Sequence, residues 1–340
     1  MAGALAKGLG MAPERVAQVL YRTPAVLMDN VEPTLAESLV RLLQDAGIEA
    51  RLEDTGEPPP PPPALFDIAL SPLDVTRLPE IADRLAEFLG TRPQQALELL
   101  LMPPGLVLGQ VSAVTADLLA SELHGLPVQV LRSQRIGARY CLADTGLSGD
   151  LRQRLLRACP APARDVAGLL ATDLSAETAA TLVREHAAGV HLPIIDQAFA
   201  RFEIELLAAP ESDAAAGQLA ALSDVPERVA PRVLQALPVV VQDNVSWSEL
   251  VSRLDALARQ GFGARGRLTT LDRFRLRRIQ APADVDLPGL LGKLGLCDAA
   301  SVPAAGPVDV REAYPALQAE LLTRSLRSAG CAVELQREVA

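Results

Sequence analysis

Residues 273–278, Arg-Phe-Arg-Leu-Arg-Arg, form the densest positive stretch of the chain, with Arg265 and Arg267 just before them. If the run is a strand, Phe274 and Leu276 share one face and Arg273, Arg275 and Arg277 the other. Two roles suit such a face. Charges along an exposed strand discourage pairing with another strand, or they dock an acidic partner, protein or RNA. Neither role makes or breaks a bond, and the remaining reactive residue types add no candidate chemistry. Of the three histidines, His124, His186 and His191, the last two lie five residues apart but straddle Gly189 and have no Cys or carboxylate at metal-ligand spacing. Cys141, Cys159, Cys297 and Cys331 are far apart with no Cys-x-x-Cys, so they read as buried free thiols in a reducing compartment. No phosphate loop, dinucleotide fingerprint, nucleophile elbow or zinc-protease motif occurs, and no nucleophile is paired with a base. The expectation is a protein that is not an enzyme, with no catalytic, cofactor-binding or metal-ligating residue.

The composition narrows the partners. Of 340 residues, 49% are hydrophobic and 22% charged, which suits a packed globular chain. A formal net charge of −10 gives no general attraction to nucleic acid or anionic lipid. DNA is therefore excluded as an expected partner, RNA is disfavoured, and other proteins remain. No run approaches the roughly 20 apolar residues of a membrane span, and "MAGALAKGLGMAPERV" lacks the apolar stretch of a signal peptide. A cytoplasmic location without membrane insertion follows as the expectation.

The elements that would position these residues show up as internal repetition. "APERVAQVLYRTPAVLMDNV" at residues 12–31 returns as "VPERVAPRVLQALPVVVQDNV" at residues 225–245, and the spacing of 213 from Pro13 to Pro226 divides into three steps of 71. Phe66, Tyr140, Phe202 and Phe274 each open a short alternating run of strand character. Leu-x-x-x-Pro then recurs at Leu9/Pro13, Leu89/Pro93, Leu156/Pro160 and Leu222/Pro226, marking a helix, a turn and a second helix that begins at proline. Pro24, Pro104 and Pro238 end that second helix, and a β-branched run follows. An amphipathic helix comes next, announced in one copy by the capping box Ser246/Glu249. Gly47, Gly125, Gly189, Gly261 and Gly330 close these helices, each before a last strand.

The predicted fold is α+β: about five tandem small two-layer domains, each β-α-α-β-α-β with a three-stranded sheet. They span residues 1–54, 64–133, 138–197, 200–271 and 272–340. The first lacks its opening strand, the third has only "ATDL" where a middle strand belongs, and the fifth replaces its helical hairpin with "LGLCDAASVPAAG". Residues 55–63 form a linker in which the six prolines 58–63 make a stiff rod of roughly 19 Å, at about 3.1 Å per residue. Five such units in file, each with its own core, predict an elongated body.

The unit resembles the C-terminal domain of the bacterial ribosomal stalk protein, a fold class shared with the N-degron adaptor of the Clp protease. The second copy carries the likeness in "LFDIAL", "MPPGLVLGQVS" and "LLASELHGLPVQV", and the endings "AGIEARL" and "AGCAVEL" of copies one and five agree with it. The resemblance implies that the second short helix meets partners, since the stalk domain recruits translational GTPases through lysines there. The matching positions hold Gln95 and Glu98 in copy two, Arg15 and Gln18 in copy one, and Val229 and Arg232 in copy four. Most of that positive charge is missing, so GTPase recruitment is not carried over, although Arg15 and Arg232 join Arg273, Arg275 and Arg277 as candidate partner contacts. Asp29-Asn30 and Asp243-Asn244 follow the middle strand and fit turns, because Asn tolerates left-handed backbone.

Together these readings predict a scaffold presenting repeated protein-binding surfaces in a cytoplasmic bacterial assembly. Two alternatives stand beside it: an adaptor recruiting a GTPase or AAA+ machine, and a subunit of a polymeric, secretion or motility complex that self-associates through repeat 1.

Overall fold

The computed structural model describes residues 12–45, 48–54, 63–159, 166–187, 190–296 and 306–338. Cys297, most of the proline run and the second short helix expected at Pro160 lie outside the described residues. The fold is mixed α+β. Residues 12–54 contribute α1 (Pro13–Leu20) and α2 (Pro33–Asp45). Next come β1 (Leu65–Pro72), α3 (Leu78–Leu89), α4 (Pro93–Leu101), β2 (Leu106–Ser112), α5 (Ala113–Glu122) and β3 (Val128–Gln134). The third segment holds β4 (Arg139–Ala143), α6 (Gly149–Ala158), β5 (Val166–Ala167), β6 (Leu169–Ser175), α7 (Ala176–His186) and β7 (Ile194–Asp196). The fourth holds β8 (Phe202–Ala208), α8 (Ala215–Leu222), α9 (Ala230–Gln235), β9 (Val239–Val245), α10 (Trp247–Arg259) and β10 (Gly263–Leu268). The last holds β11 (Arg273–Gln280), α11 (Leu287–Lys293), β12 (Ala313–Pro315), α12 (Ala316–Ser328) and β13 (Ala332–Arg337).

The strands make four sheets, ordered β2-β1-β3, β6-β4-β7, β5-β10-β8-β9 and β12-β11-β13. In each, the aromatic-led strand (β1, β4, β8 or β11) lies between two neighbours. Its position explains the alternation: one face meets helices, and backbone bonds run out on both sides. Local signals act where the sequence places them. Pro13 and Pro93 open α1 and α4, and Gly90 closes α3 in left-handed backbone at φ 66°. Gly125, Gly261 and Gly330 have φ of 81–83° after their helices. Ser246 and Glu249 form the reciprocal cap of α10. Ser112 and Ser175 also cap their helices, accepting from Thr115 N at 3.4 Å and Thr178 N at 3.1 Å.

Several expectations need correction. Residues 25–31 and 48–53 are not strands. Flanking strands in the four sheets bond to a central one, and among the described residues these two segments have no such partner. The third segment does form a middle strand, β6, which pairs with β4 through an irregular register. Its irregularity accompanies Asp173, a left-handed residue at φ 56° that interrupts the plain alternation. The sheet of the fourth segment has four strands, because Val166 and Ala167 pair in parallel with Gly266 and Arg267. Asn30 and Asn244 are left-handed as expected, both at φ 51°, but Asn244 sits within β9 as a bulge instead of in a turn. Gln110 at φ 57° occupies the corresponding place in β2.

Contacts divide the chain into residues 1–68, 108–125 and 132–136 as one unit and residues 69–107, 126–131 and 137–340 as another. In the first, the Tyr21 carbonyl accepts from Ser112 N at 2.9 Å and Thr115 Oγ1 at 3.0 Å. Arg22 donates to the Gln110 carbonyl at 3.2 Å, and Gln110 N donates to Asp67 at 2.8 Å. In the second, one apolar cluster takes Ala69, Cys141, Ala143, Leu169 and Ile195 together with Phe202, Ile204 and Leu206. Leu142, Leu151, Leu155 and Leu182 form a second cluster on the other side of β4. Around Leu276, Ile279 and Leu326 lies a third. Leu321 of α12 also lines a small apolar hollow with Leu78, Ala82 and Leu97. Separately cored units in file therefore do not describe this second unit. Each small sheet has two faces to cover, and burying both against neighbours removes more apolar surface from water.

Candidate functional site: the arginine–carboxylate junction

β11 is the middle strand of its sheet, so its arginines do not guard an exposed edge. Nor do they form an open basic face. Arg275 pairs with Glu338, Arg277 with Asp309 at 3.2 Å, and Arg278 with Glu334 at 3.4 Å. Arg273 donates to the Ala313 carbonyl. Arg265, on β10, meets Glu205 of β8 at 2.6 Å. Arg15 and Arg232 are exposed, on α1 and α9. The three candidate contacts on β11 are thus largely occupied by groups of the same chain.

The most enclosed part of the cluster joins the fourth and fifth segments. Arg267 Nε donates to Glu203 at 2.6 Å, and its two terminal nitrogens reach the two Asp272 oxygens at 2.8 and 3.1 Å. Arg337 of β13 approaches Glu203 at 3.4 Å and Asp272 at 3.3 Å, with its guanidinium 5.5 Å from the centre of the Phe274 ring. Side-chain exposure is 8% for Glu203, 12% for Asp272 and 16% for Arg267. Burial alone would raise the Glu203 pKa. The hydrogen bond and charge of Arg267, with Arg337 behind it, outweigh burial and hold that carboxyl below its ordinary value. For Arg267, burial works against the cation, but bonds to Glu203 and Asp272 prevail and raise its pKa. Asp272 lies in the four-residue connection between β10 and β11, so the bidentate fork fixes the path between two sheets.

Comparisons with protein-family models, with curated proteins and with solved structures find no match to this chain.

The remaining titratable groups are dispersed. Cys141, Cys159 and Cys331 are buried free thiols. Burial, and then the charge of Asp196, push the Cys141 thiol up to about 12. His124 and His191 are exposed, and His186 ends α7 half-buried. Among the described residues, no three or more His, Cys, Asp or Glu side chains are grouped to hold a metal. No helix among them is long and apolar enough to cross a membrane. Sequence reasoning missed Glu203, Asp272 and Arg337 as members of the junction. The available signal was charge alternation: Glu203 and Glu205 on one strand against Arg265 and Arg267 on another, the pattern of cross-strand ion pairs.

Proposed function

We propose that this chain is a non-enzymatic scaffold: tandem small α+β modules, akin to the stalk C-terminal class, that present surfaces to other proteins in a bacterial cytoplasm. The observation that carries the reading is recurrence with position. Four sheets share an aromatic-led central strand. A left-handed residue also stands two places before the residue that caps the following helix, at Gln110, Asp173 and Asn244. Asn30 and Glu32 repeat that spacing before α2, where Glu32 accepts from Leu35 N at 3.3 Å. Repeated modules whose ionic groups are spent on internal junctions hold shape and leave their outer helix faces for contacts. Exposed apolar side chains supply further contact area: Leu118 on α5, Met102 just past α4 and Ile136 in the turn after β3.

Quantitative affinity capture tests this, using the full chain and the single variants Arg15→Glu and Arg232→Glu, on two different modules. A scaffold loses different partners, or graded amounts of one partner, with each variant. Identical capture by all three chains, or a single change that abolishes every contact, would count against distributed surfaces.

A further inference from the structure

Two places in the chain share one arrangement: a left-handed residue, then a strand end whose Ser-x-x-Thr caps the next helix. At the first, Gln110 has φ 57° and precedes Ser112, whose Oγ lies 3.4 Å from Thr115 Oγ1. The turn after α1 sits on it. Ser112 N and Thr115 Oγ1 both donate to the Tyr21 carbonyl, at 2.9 and 3.0 Å. The Arg22 side chain forks onto the main-chain and side-chain oxygens of Gln110. Under that turn Ser112 is 1% exposed and Thr115 5%. At the second place, Asp173 has φ 56° and precedes Ser175, whose Oγ lies 3.0 Å from Thr178 Oγ1. Here Ser175 and Thr178 are only half-buried, and Asp173 is exposed.

The register fixes where the Ser175 N–H points. Successive residues of a strand send their backbone groups to opposite sides. The Arg139 carbonyl accepts from Gln197 N at 2.8 Å, and Ala143 N donates to the Pro193 carbonyl at 2.9 Å, so Arg139 and Ala143 bond toward β7. Ser175 lies opposite Arg139, and β6 is an edge strand, so the Ser175 N–H is turned away from β4 and out of the sheet. In the other segments the corresponding donor is answered. Ser112 N meets Tyr21, and Ser246 N donates to its own Glu249 at 3.0 Å. Opposite Arg273 stands Pro315, which has no N–H. Among the described residues the Ser175 N–H has no partner. Beside it, the Gln197 amide meets Asp173 N at 3.0 Å and one Asp173 carboxylate oxygen at 3.3 Å. The second oxygen is left for a cation.

We propose that the site at Asp173, Ser175 and Thr178 binds the C-terminal turn of a helix in a partner protein, one that presents a main-chain carbonyl directly followed by arginine. The carbonyl accepts from Ser175 N and Thr178 Oγ1, and the arginine reaches Asp173. The last carbonyls of a helix have no intrahelical donor, so such a turn supplies the free acceptor. Charge selects the arginine. Where Gln110 offers Arg22 a neutral amide oxygen, Asp173 offers a carboxylate, and a charge-assisted bond is roughly twice as strong as a neutral one. A lysine ammonium lacks the planar fork that spans main-chain and side-chain oxygens together. A second copy of the chain is a poor donor, because its own Tyr21-Arg22 turn would first have to leave Ser112 and Gln110. The inference rests on the modular reading above and gives one of its surfaces a defined ligand chemistry.

The test uses the isotope-labelled full chain and a synthetic peptide copied from residues 13–24, Pro-Glu-Arg-Val-Ala-Gln-Val-Leu-Tyr-Arg-Thr-Pro. Amide signals are followed by NMR as the peptide is added. Those of Ser175 and Thr178 should shift saturably, with a Kd of about 1 mM or tighter. A peptide with alanine at the position of Arg22 should bind about tenfold more weakly. Asp173→Asn, which keeps the left-handed tolerance and removes the charge, should weaken the parent peptide by about the same factor. Ser175→Pro removes the N–H at a φ of −69° that suits proline, and should leave Thr178 unmoved by peptide. The proposal is overturned if Ser175 does not respond, if the alanine peptide binds equally well, or if Asp173→Asn leaves the affinity unchanged. Shifts confined to Ser112 and Thr115 also overturn it, since the peptide would then only be displacing Tyr21. Any of these failures leaves the scaffold reading to be judged by the capture experiment, which scores other surfaces.

Discussion

Replacing Arg267 by Met keeps an unbranched stem in place and removes the guanidinium that Glu203 and Asp272 share. Those carboxylates, 8% and 12% exposed, would then have only Arg337, which is 38% exposed and lies 3.3–3.4 Å from them. Breaking a buried ion pair by removing one partner costs about 3–5 kcal/mol, chiefly because an uncompensated charge stays out of water. Arg337 remains and water can reach its side, so the lower end, about 3 kcal/mol, is expected here. At about 1.4 kcal/mol per decade, that is roughly a hundredfold faster amide exchange where opening exposes the junction. The assay is hydrogen exchange resolved by peptide, comparing β8, β10 and β13 with β4 and β6. The first group should accelerate by about two decades, and the second by no more than a few-fold. Adding Glu203→Gln to the variant should recover part of the loss, since it deletes one stranded charge. A change below about threefold at β10 and β13 would mean that the cluster behaves as a solvated surface pair. The argument from burial would then be wrong.

Other outcomes follow from the same structure. Gly105 has φ +78°, and a Cβ there would lie 2.4 Å from the Leu70 carbonyl oxygen. Gly105→Ala should therefore destabilise the fold by more than the roughly 1–2 kcal/mol of left-handed backbone alone, and an unchanged melting curve would refute this. Because the folded Glu203 pKa lies below its ordinary value, its contribution is present above about pH 4.3 and is lost as pH falls through the folded pKa. The stability gap between wild type and Glu203→Gln, measured by urea unfolding, should shrink on acidification, and a constant gap would contradict the linkage. Cys141, buried and pushed up to about 12, donates to the Ile195 carbonyl at 3.6 Å. At pH 8 it should resist iodoacetamide in the folded chain and react after denaturation, as mass spectrometry would show. Ser175→Ala should cost about 1 kcal/mol through the lost cap of α7, read as faster exchange in its first turn.

What the sequence determined by itself was local and periodic. The strands beginning near Phe66, Tyr140, Phe202 and Phe274, the prolines that open α1 and α4, and Gly125, Gly261 and Gly330 after their helices depend on groups within a few residues of one another. Steric limits on φ and the two- or nearly four-residue repeat of side chains act at that range, so the pattern is written in the chain. The left-handed tolerance of Asn30 and Asn244 was legible for the same reason. Whether Asn244 lay in a turn or a bulge was not, because a bulge is defined by the neighbouring strand. Tertiary structure alone decided that the aromatic-led strand is central, that Val166 and Ala167 extend another module's sheet, and that Ala69 and Cys141 share a core with Phe202. It also decided the fate of the arginines. Arg275 meets Glu338 and Arg267 meets Glu203 across more than sixty residues of chain. A local reading sees their positive charge, but only the packed sheets bring the carboxylates that answer it.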